Sequence, residues 1–233
     1  MGRKIEDWII FEDEHLVAVN KPSNMPSIPE RNPDGSIKSI YELAIDKGYL
    51  ICHRLDKETS GIMILAKNPN SHREINLLFQ NKEVKKFYHA IVHNPSFFDN
   101  LLVELPLLIT KRKVFANKSE GKKAETILNT LENYKHFSLV ECQPKTGRQH
   151  QIRVHLSTQN QPIVGDELYG GHKPKLNDFK RKFTGESANE LIHRFALHAR
   201  RTEFTLMGKD YSIEAEYPND FATLLKIIKK WDA

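Results

Sequence analysis

Cysteine is scarce: the 233-residue chain carries only Cys52 and Cys142. Two thiols exclude a disulfide scaffold and any all-cysteine metal site, and they point to a reducing, cytoplasmic setting. Apolar runs are short, and none approaches the roughly 20 residues needed to span a bilayer. The start, Met1-Gly2-Arg3-Lys4-Ile5-Glu6-Asp7, has no apolar signal-peptide centre and lacks the Ser/Thr of a myristoylation pattern, so no membrane association is expected. Also missing are a glycine-rich phosphate loop, a GxGxxG, a GxSxG elbow and any internal repeat. Histidine is plentiful at 11 but poorly spaced for a metal. His150/His155 and His193/His198 are five apart rather than four, and His89 and His93 fall in an expected strand, about 13 Å from one another. No metal and no organic cofactor is expected.

Charge is present with a mild basic excess, 35 Lys and Arg against 30 Asp and Glu, for a net +5. Alone this says little about partners. Two stretches are denser. Thr110–Lys123 holds six basic residues, Lys111, Arg112, Lys113, Lys118, Lys122 and Lys123, against Glu120. His172–Lys182 holds five, Lys173, Lys175, Lys180, Arg181 and Lys182, against Asp178. Each reads as a solvated loop or as a phosphate-facing surface.

Strand patterns run through Trp8–Phe11, Leu16–Val19, Gly61–Ala66, Phe87–Val92, Ala124–Leu128, Phe137–Cys142, Phe195–Phe204 and Tyr211–Tyr217. Helices are expected from a Ser39 cap to Gly48 with Glu42 closing a capping box, from Asn70 through Phe79, over Gly147–Gln159, and from Asn219 or Asp220 to Trp231. Residues 22–38, rich in proline, read as a loop. Many strands and few helices predict an α+β fold. No composition shift marks a linker, so one domain over 1–233 is expected, with 171–190 as a mobile loop.

Three segments hold candidate chemistry. In His53-Arg54-Leu55-Asp56-Lys57-Glu58-Thr59-Ser60-Gly61, extended geometry puts Arg54 and Asp56 on one side and Leu55 on the other. A carboxylate beside an arginine is either a structural ion pair or an ionised nucleophile. In Lys145-Thr146-Gly147-Arg148-Gln149-His150-Gln151-Ile152-Arg153-Val154-His155-Leu156, a polar helix is either an exposed basic helix or a device that delivers Arg153 to a site while Arg148 or Lys145 meets phosphate. In Lys85-Lys86-Phe87-Tyr88, one aromatic is core and the other lines a surface where bases can stack.

Together, HRLDKETSG, KKFYHAIV and TGRQHQIRVHL…PIVGDELYG resemble the three signature motifs of the RluA-type pseudouridine synthases. LVAVNKP (16–22), KKAET (122–126) and Leu197-His198-Ala199 are similar to further landmarks of that family, in family order from about Ile9 to the last helix. The resemblance implies the pseudouridine synthase fold, a mixed, mainly antiparallel β-sheet core with flanking helices. It covers the catalytic domain, so a catalytic domain without the S4-type domain of many relatives is expected. It also implies RNA as partner, a ribosomal or transfer RNA stem-loop, and action as a monomer with no obligate protein partner.

The implied reaction breaks the N1–C1′ bond of a uridine, turns the base and rejoins it through C5. Asp56 is implied as the carboxylate, attacking C1′ or acting at C2′. Neither route calls for a metal or cofactor. Tyr88 is implied to stack on the base, and Arg153 to pair with Asp56. Arg54 is implied to fill the gap left when the uridine flips out. Arg148, Ile152 and Lys145 are implied substrate contacts. Two rivals remain: a catalytically silent RNA-binding module, and a hydrolase using Asp56 with Glu58.

Overall fold

The computed structural model describes residues 4–29, 37–111, 113–179 and 190–232. A 3-10 turn, Ile5–Trp8, leads into strands β1 (Ile9–Glu12) and β2 (Leu16–Lys21), helix α1 (Ile40–Ile45), strands β3 (Leu50–Ile51) and β4 (Ser60–Ala66), and helix α2 (Pro69–Gln80). Strands β5 (Lys85–His93), β6 (Leu101–Glu104), β7 (Leu107–Ile109), β8 (Val114–Ala116), β9 (Glu125–Asn133) and β10 (Phe137–Pro144) follow. Helix α3 (Gln151–Thr158), a 3-10 turn at Glu167–Tyr169, helix α4 (Leu176–Phe179), strands β11 (Leu197–Leu206) and β12 (Lys209–Glu214), and helix α5 (Asn219–Trp231) complete the order. The α+β class and the mainly antiparallel pairing agree with expectation. The chain divides into two compact units, Met1–Lys86 with His198–Glu216, and Phe87–Leu197 with Tyr217–Ala233. The first boundary falls inside β5, where no loop composition marks it.

In the first unit β1, β2, β4 and β11 are neighbours in that order, β12 pairs with β11, and β3 with β4. Only β4 with β11 is parallel among these pairs, with Ala199 opposite Gly61. Every residue of β4 is buried, the signature of a strand covered on both faces. Its Ile62, Ile64 and Ala66 share a core with Leu16 and Ala18 of β2, Ile75 of α2, and Phe204, Leu206, Tyr211 and Ile213 of the β11–β12 hairpin. Gly61 has no substitute: its φ is +112°, and a Cβ there would stand 2.3 Å from the Ala199 carbonyl oxygen.

The second unit is built on β5, β10, β9 and β6, antiparallel throughout, with β7–β8 as a separate two-stranded hairpin. Ala90, Ile91 and Val92 of β5 and Leu139, Val140 and Cys142 of β10 meet Ile152 and Leu156 of α3 and Phe221, Leu224, Leu225 and Ile228 of α5.

The Ser39 capping box is present as expected: the Glu42 amide donates to Ser39 Oγ at 3.2 Å and the Ser39 amide to Glu42 Oε2 at 2.7 Å. Three helix starts differ. Asn68, not Asn70, caps α2, because Pro69 lacks an N–H and suits the first helical position. The α5 N-cap is Pro218, and Asp220 is instead engaged by Arg194. Helix α3 begins at Gln151 rather than Gly147, because His150 is left-handed at φ +52°. The Gln151 carboxamide closes the preceding turn, accepting from Thr146 Oγ1 at 2.7 Å and from the Arg148 amide at 3.0 Å. Of the loop expected to be mobile, 180–189 lies outside the described residues; before it comes α4, and Lys175 bridges to Glu190.

Candidate active site

Asp56 sits half-exposed in the segment that joins β3 to β4. Its carbonyl accepts the Thr59 amide at 3.1 Å, closing a turn that delivers the chain into β4. Three side chains of the first unit pin this segment. Ser27 Oγ donates to the Leu55 carbonyl at 2.7 Å and accepts the Leu55 amide at 3.0 Å, satisfying both backbone groups next to Asp56. Lys21 is fully buried, and its ammonium donates to the carbonyls of Pro22, Met25 and Lys57 at 3.0, 2.9 and 3.0 Å. His53 Nε2 accepts the Ile64 amide of β4 at 2.9 Å. Buried polar groups are costly unless partnered, so each contact fixes the path of the chain as well as stabilising it. Leu55 is buried while Arg54 on one side of it is exposed, the alternation expected from the sequence.

Tyr88 and Arg153 belong to the second unit. Tyr88, on β5, stands opposite Cys142 of β10 and is half-buried against the core of that unit. Arg153 is buried, and so is α3 from Gln151 through Leu156. This rules out an exposed basic helix. The polar side chains of α3 are each partnered inside the unit. Gln151 Nε2 donates to the Glu125 carbonyl and to Thr126 Oγ1 at 2.8 and 2.9 Å. His155 spans Thr126 Oγ1 and the Leu105 carbonyl at 2.9 and 3.0 Å. Burial holds the His155 pKa below the usual histidine range. Arg153 donates through Nε and Nη2 to both oxygens of Asp166 at 2.7 Å each. Its guanidinium lies 4.2 Å from the Phe195 ring centroid and 4.9 Å from that of Tyr169. A planar fork facing a carboxylate and aromatic faces is arginine's particular chemistry.

The remaining expected contacts are spread differently. Arg148 is exposed and its Nε donates to the Lys123 carbonyl at 3.1 Å. Lys145 is exposed, with its amide bound to the Glu125 carbonyl. Ile152 is a core residue of the second unit. Lys111, Lys113, Lys118, Lys122 and Lys123 are exposed on or beside the β7–β8 hairpin, and Arg112 lies outside the described residues. Lys113 Nζ lies 4.9 Å from the Tyr169 ring centroid. Lys173 and Lys175 are described, whereas Lys180, Arg181 and Lys182 are not. Among the described residues no group of three or more His, Cys, Asp or Glu is arranged to hold a metal, and no helix is long and apolar enough to cross a membrane.

Sequence reasoning did not single out Lys21, Ser27, His53 or Asp166 as supports. The only signal was their presence inside or beside the motifs. Chemically, the first unit offers a half-exposed carboxylate on a tightly held turn, and the second a buried guanidinium fixed by its own carboxylate.

Residues 15–158 match the family described as RNA pseudouridylate synthase. Ribosomal large subunit pseudouridine synthase D of Neisseria meningitidis is 34% identical over 232 residues, covering 95% of this chain and 61% of that protein. Ribosomal large subunit pseudouridine synthase C of Vibrio vulnificus is 32% identical over 218 residues, covering 92% and 66%. The chain therefore spans about two thirds or less of the length of these curated relatives. An uncharacterised RNA pseudouridine synthase of Zymomonas mobilis is 34% identical over 230 residues, covering 93% of this chain and 96% of that one. The solved structure of human RNA pseudouridylate synthase domain containing 4 has a TM-score of 0.77 at 25% identity, covering 97% and 94%. With its motifs in order and similarity along nearly its whole length, the chain belongs to the RNA pseudouridylate synthase family, in its RluA-type group.

Proposed function

We propose that the protein isomerises specific uridines in RNA to pseudouridine, with Asp56 as the catalytic carboxylate. The observation that carries the proposal is the Asp56 turn: a half-exposed carboxylate inside HRLDKETSG, held by Ser27 and Lys21 on either side. Glycosidic bond cleavage develops positive charge at C1′, and a carboxylate stabilises or captures it. Asp56 attacks C1′ or acts at C2′; both routes begin from the same carboxylate.

Tyr88 is proposed to stack on the target base, and Arg153 to serve the Asp56 carboxylate. Arg54, exposed two residues before Asp56, is proposed to occupy the space vacated by the flipped uridine, since a stacked base is out of reach. Lys145, Arg148 and the lysines around the β7–β8 hairpin are proposed to form the RNA-contacting surface; Ile152, expected among these contacts, is instead buried in the core of the second unit. The relatives' names point to large-subunit ribosomal RNA as the first RNA to test, with transfer RNA beside it. The protein is proposed to act in the cytoplasm as a monomer.

The test is a map of pseudouridines in ribosomal and transfer RNA from cells with the gene, without it, and without it but expressing Asp56→Asn. Sites lost in the deletion and restored by wild type but not by the variant support the proposal. An unchanged map removes it. Release of free uracil from the purified reaction would identify a hydrolase instead.

A further inference from the structure

We infer that His53 is a positioning residue for Asp56, setting the course of Arg54-Leu55-Asp56 by accepting the Ile64 backbone proton. The inference deepens the proposed function and rests on Asp56 being the catalytic carboxylate. Along one edge of β4, β11 pairs at Ser60 and Gly61, and β3 pairs at Leu65 and Ala66. The chain leaving β3 at Ile51 runs back along this edge toward Ser60. At Ile64 the acceptor is the His53 imidazole, at 2.9 Å, in place of a strand carbonyl.

That substitution has a consequence. A backbone carbonyl at this point would continue β3 as a regular strand; a side-chain acceptor lets the main chain leave the ladder. The departure begins three residues before Asp56, and Ser27 and Lys21 hold the chain beyond it. The ring is itself held against Phe79 of α2, with centroids 4.7 Å apart and the ring planes tilted by 33°. It accepts only as neutral imidazole with the proton on Nδ1. Burial, and then the charge of Lys86, push its pKa down to about 3, so the acceptor persists through the working range. Lys86 lies 5.9 Å from the far ring, that of Phe79.

The test compares His53→Phe, which keeps the ring and removes the acceptor, with His53→Gln, which restores an acceptor oxygen. Each purified variant is assayed for single-turnover kcat, RNA Kd and melting temperature, beside Asp56→Asn. A misplaced reacting group costs up to about a hundredfold in rate. His53→Phe is expected to lose about ten- to a hundredfold in kcat with RNA affinity unchanged, and His53→Gln to recover most of the loss. A purely structural role would lower the melting temperature and leave the kcat of the folded enzyme alone. Wild-type kcat in His53→Phe beside an inactive Asp56→Asn overturns this inference alone, as does a Gln variant no better than Phe. An active Asp56→Asn overturns the proposed function and this inference with it. Should His53→Phe not fold, the imidazole 15N spectrum of the wild-type protein decides. An unprotonated Nε2 at pH 5 supports the inference, and a protonated one overturns it.

Discussion

Asp56 sits on a turn whose neighbours have no freedom to follow it. Replacing it with asparagine preserves shape and removes the anion. Asp56→Asn is therefore expected to lower pseudouridine formation by about four orders of magnitude or more. RNA affinity should stay near wild type, because phosphate contacts elsewhere dominate binding. Quantifying pseudouridine in digested RNA, with a binding titration alongside, checks both halves. Turnover within about tenfold of wild type removes Asp56 from its role. As the proposed carboxylate, Asp56 can be picked out from HRLDKETSG alone. Its supports were not, because Ser27 reaches Leu55 across 28 residues of sequence and Lys21 reaches Lys57 across 36. Contacts of that range leave no local pattern.

Helix α3 shows what sequence alone leaves open. Its polar residues fit an exposed basic helix as well as a helix that delivers Arg153 to a site, and only the structure decides against the first: Gln151, Arg153 and His155 are all buried and satisfied. The partners, Thr126 and Glu125 of β9, Leu105 between β6 and β7, and Asp166 in the loop after α3, lie outside the helix, so no helical periodicity announces them. Arg153→Met should leave Asp166 charged and unpaired, costing about 3–5 kcal/mol of stability. Adding Asp166→Leu should recover much of that stability without recovering turnover. Denaturant unfolding of both variants measures the first effect, and the RNA assay the second. Equal stability of Arg153→Met and wild type would deny the pair its role. Strand β4 offers a contrast, since its unbroken apolar run is itself the pattern of a buried strand. Its entry depends on Gly61, where Gly61→Ala adds backbone strain of about 1–3 kcal/mol before any clash with Ala199 is counted. A lowered denaturation midpoint with an unchanged slope is the expected result.

The molecule as a whole should respond to acid through its neutral histidines. Burial and the Lys86 charge push the His53 pKa to about 3. Burial, aided by the charge of His172 against a bond to its carbonyl, pushes His93 to about 4. Burial also lowers His155. Unfolded histidine titrates near 6.5. Between the two values the unfolded chain binds more protons, so stability rises with pH there and falls as pH drops. The slope is about 1.4 kcal/mol per pH unit for each histidine fully neutral only when folded. The melting temperature should climb from pH 4 to pH 6.5 and flatten above it. Replacing His53 and His93 with glutamine should flatten the climb, and an identical profile would show that these groups do not control it. Basic surface acts at the same scale. Changing Lys111, Arg112 and Lys113 to alanine should reduce the log–log salt slope of RNA binding by roughly 0.7–0.9 per lost phosphate contact. An unchanged slope would mark the β7–β8 hairpin as a solvated loop.

The buried ammonium of Lys21 makes the first unit readable by simple amine chemistry. Its three carbonyl partners and absence of exposed surface shield the nitrogen from acylating reagents. Exposed lysines such as Lys111 and Lys118 carry no such shield. In a timed acylation followed by peptide mass spectrometry, Lys21 should stay unmodified while those lysines react. The rate at which it is finally labelled then reports how often the segment around Asp56 opens.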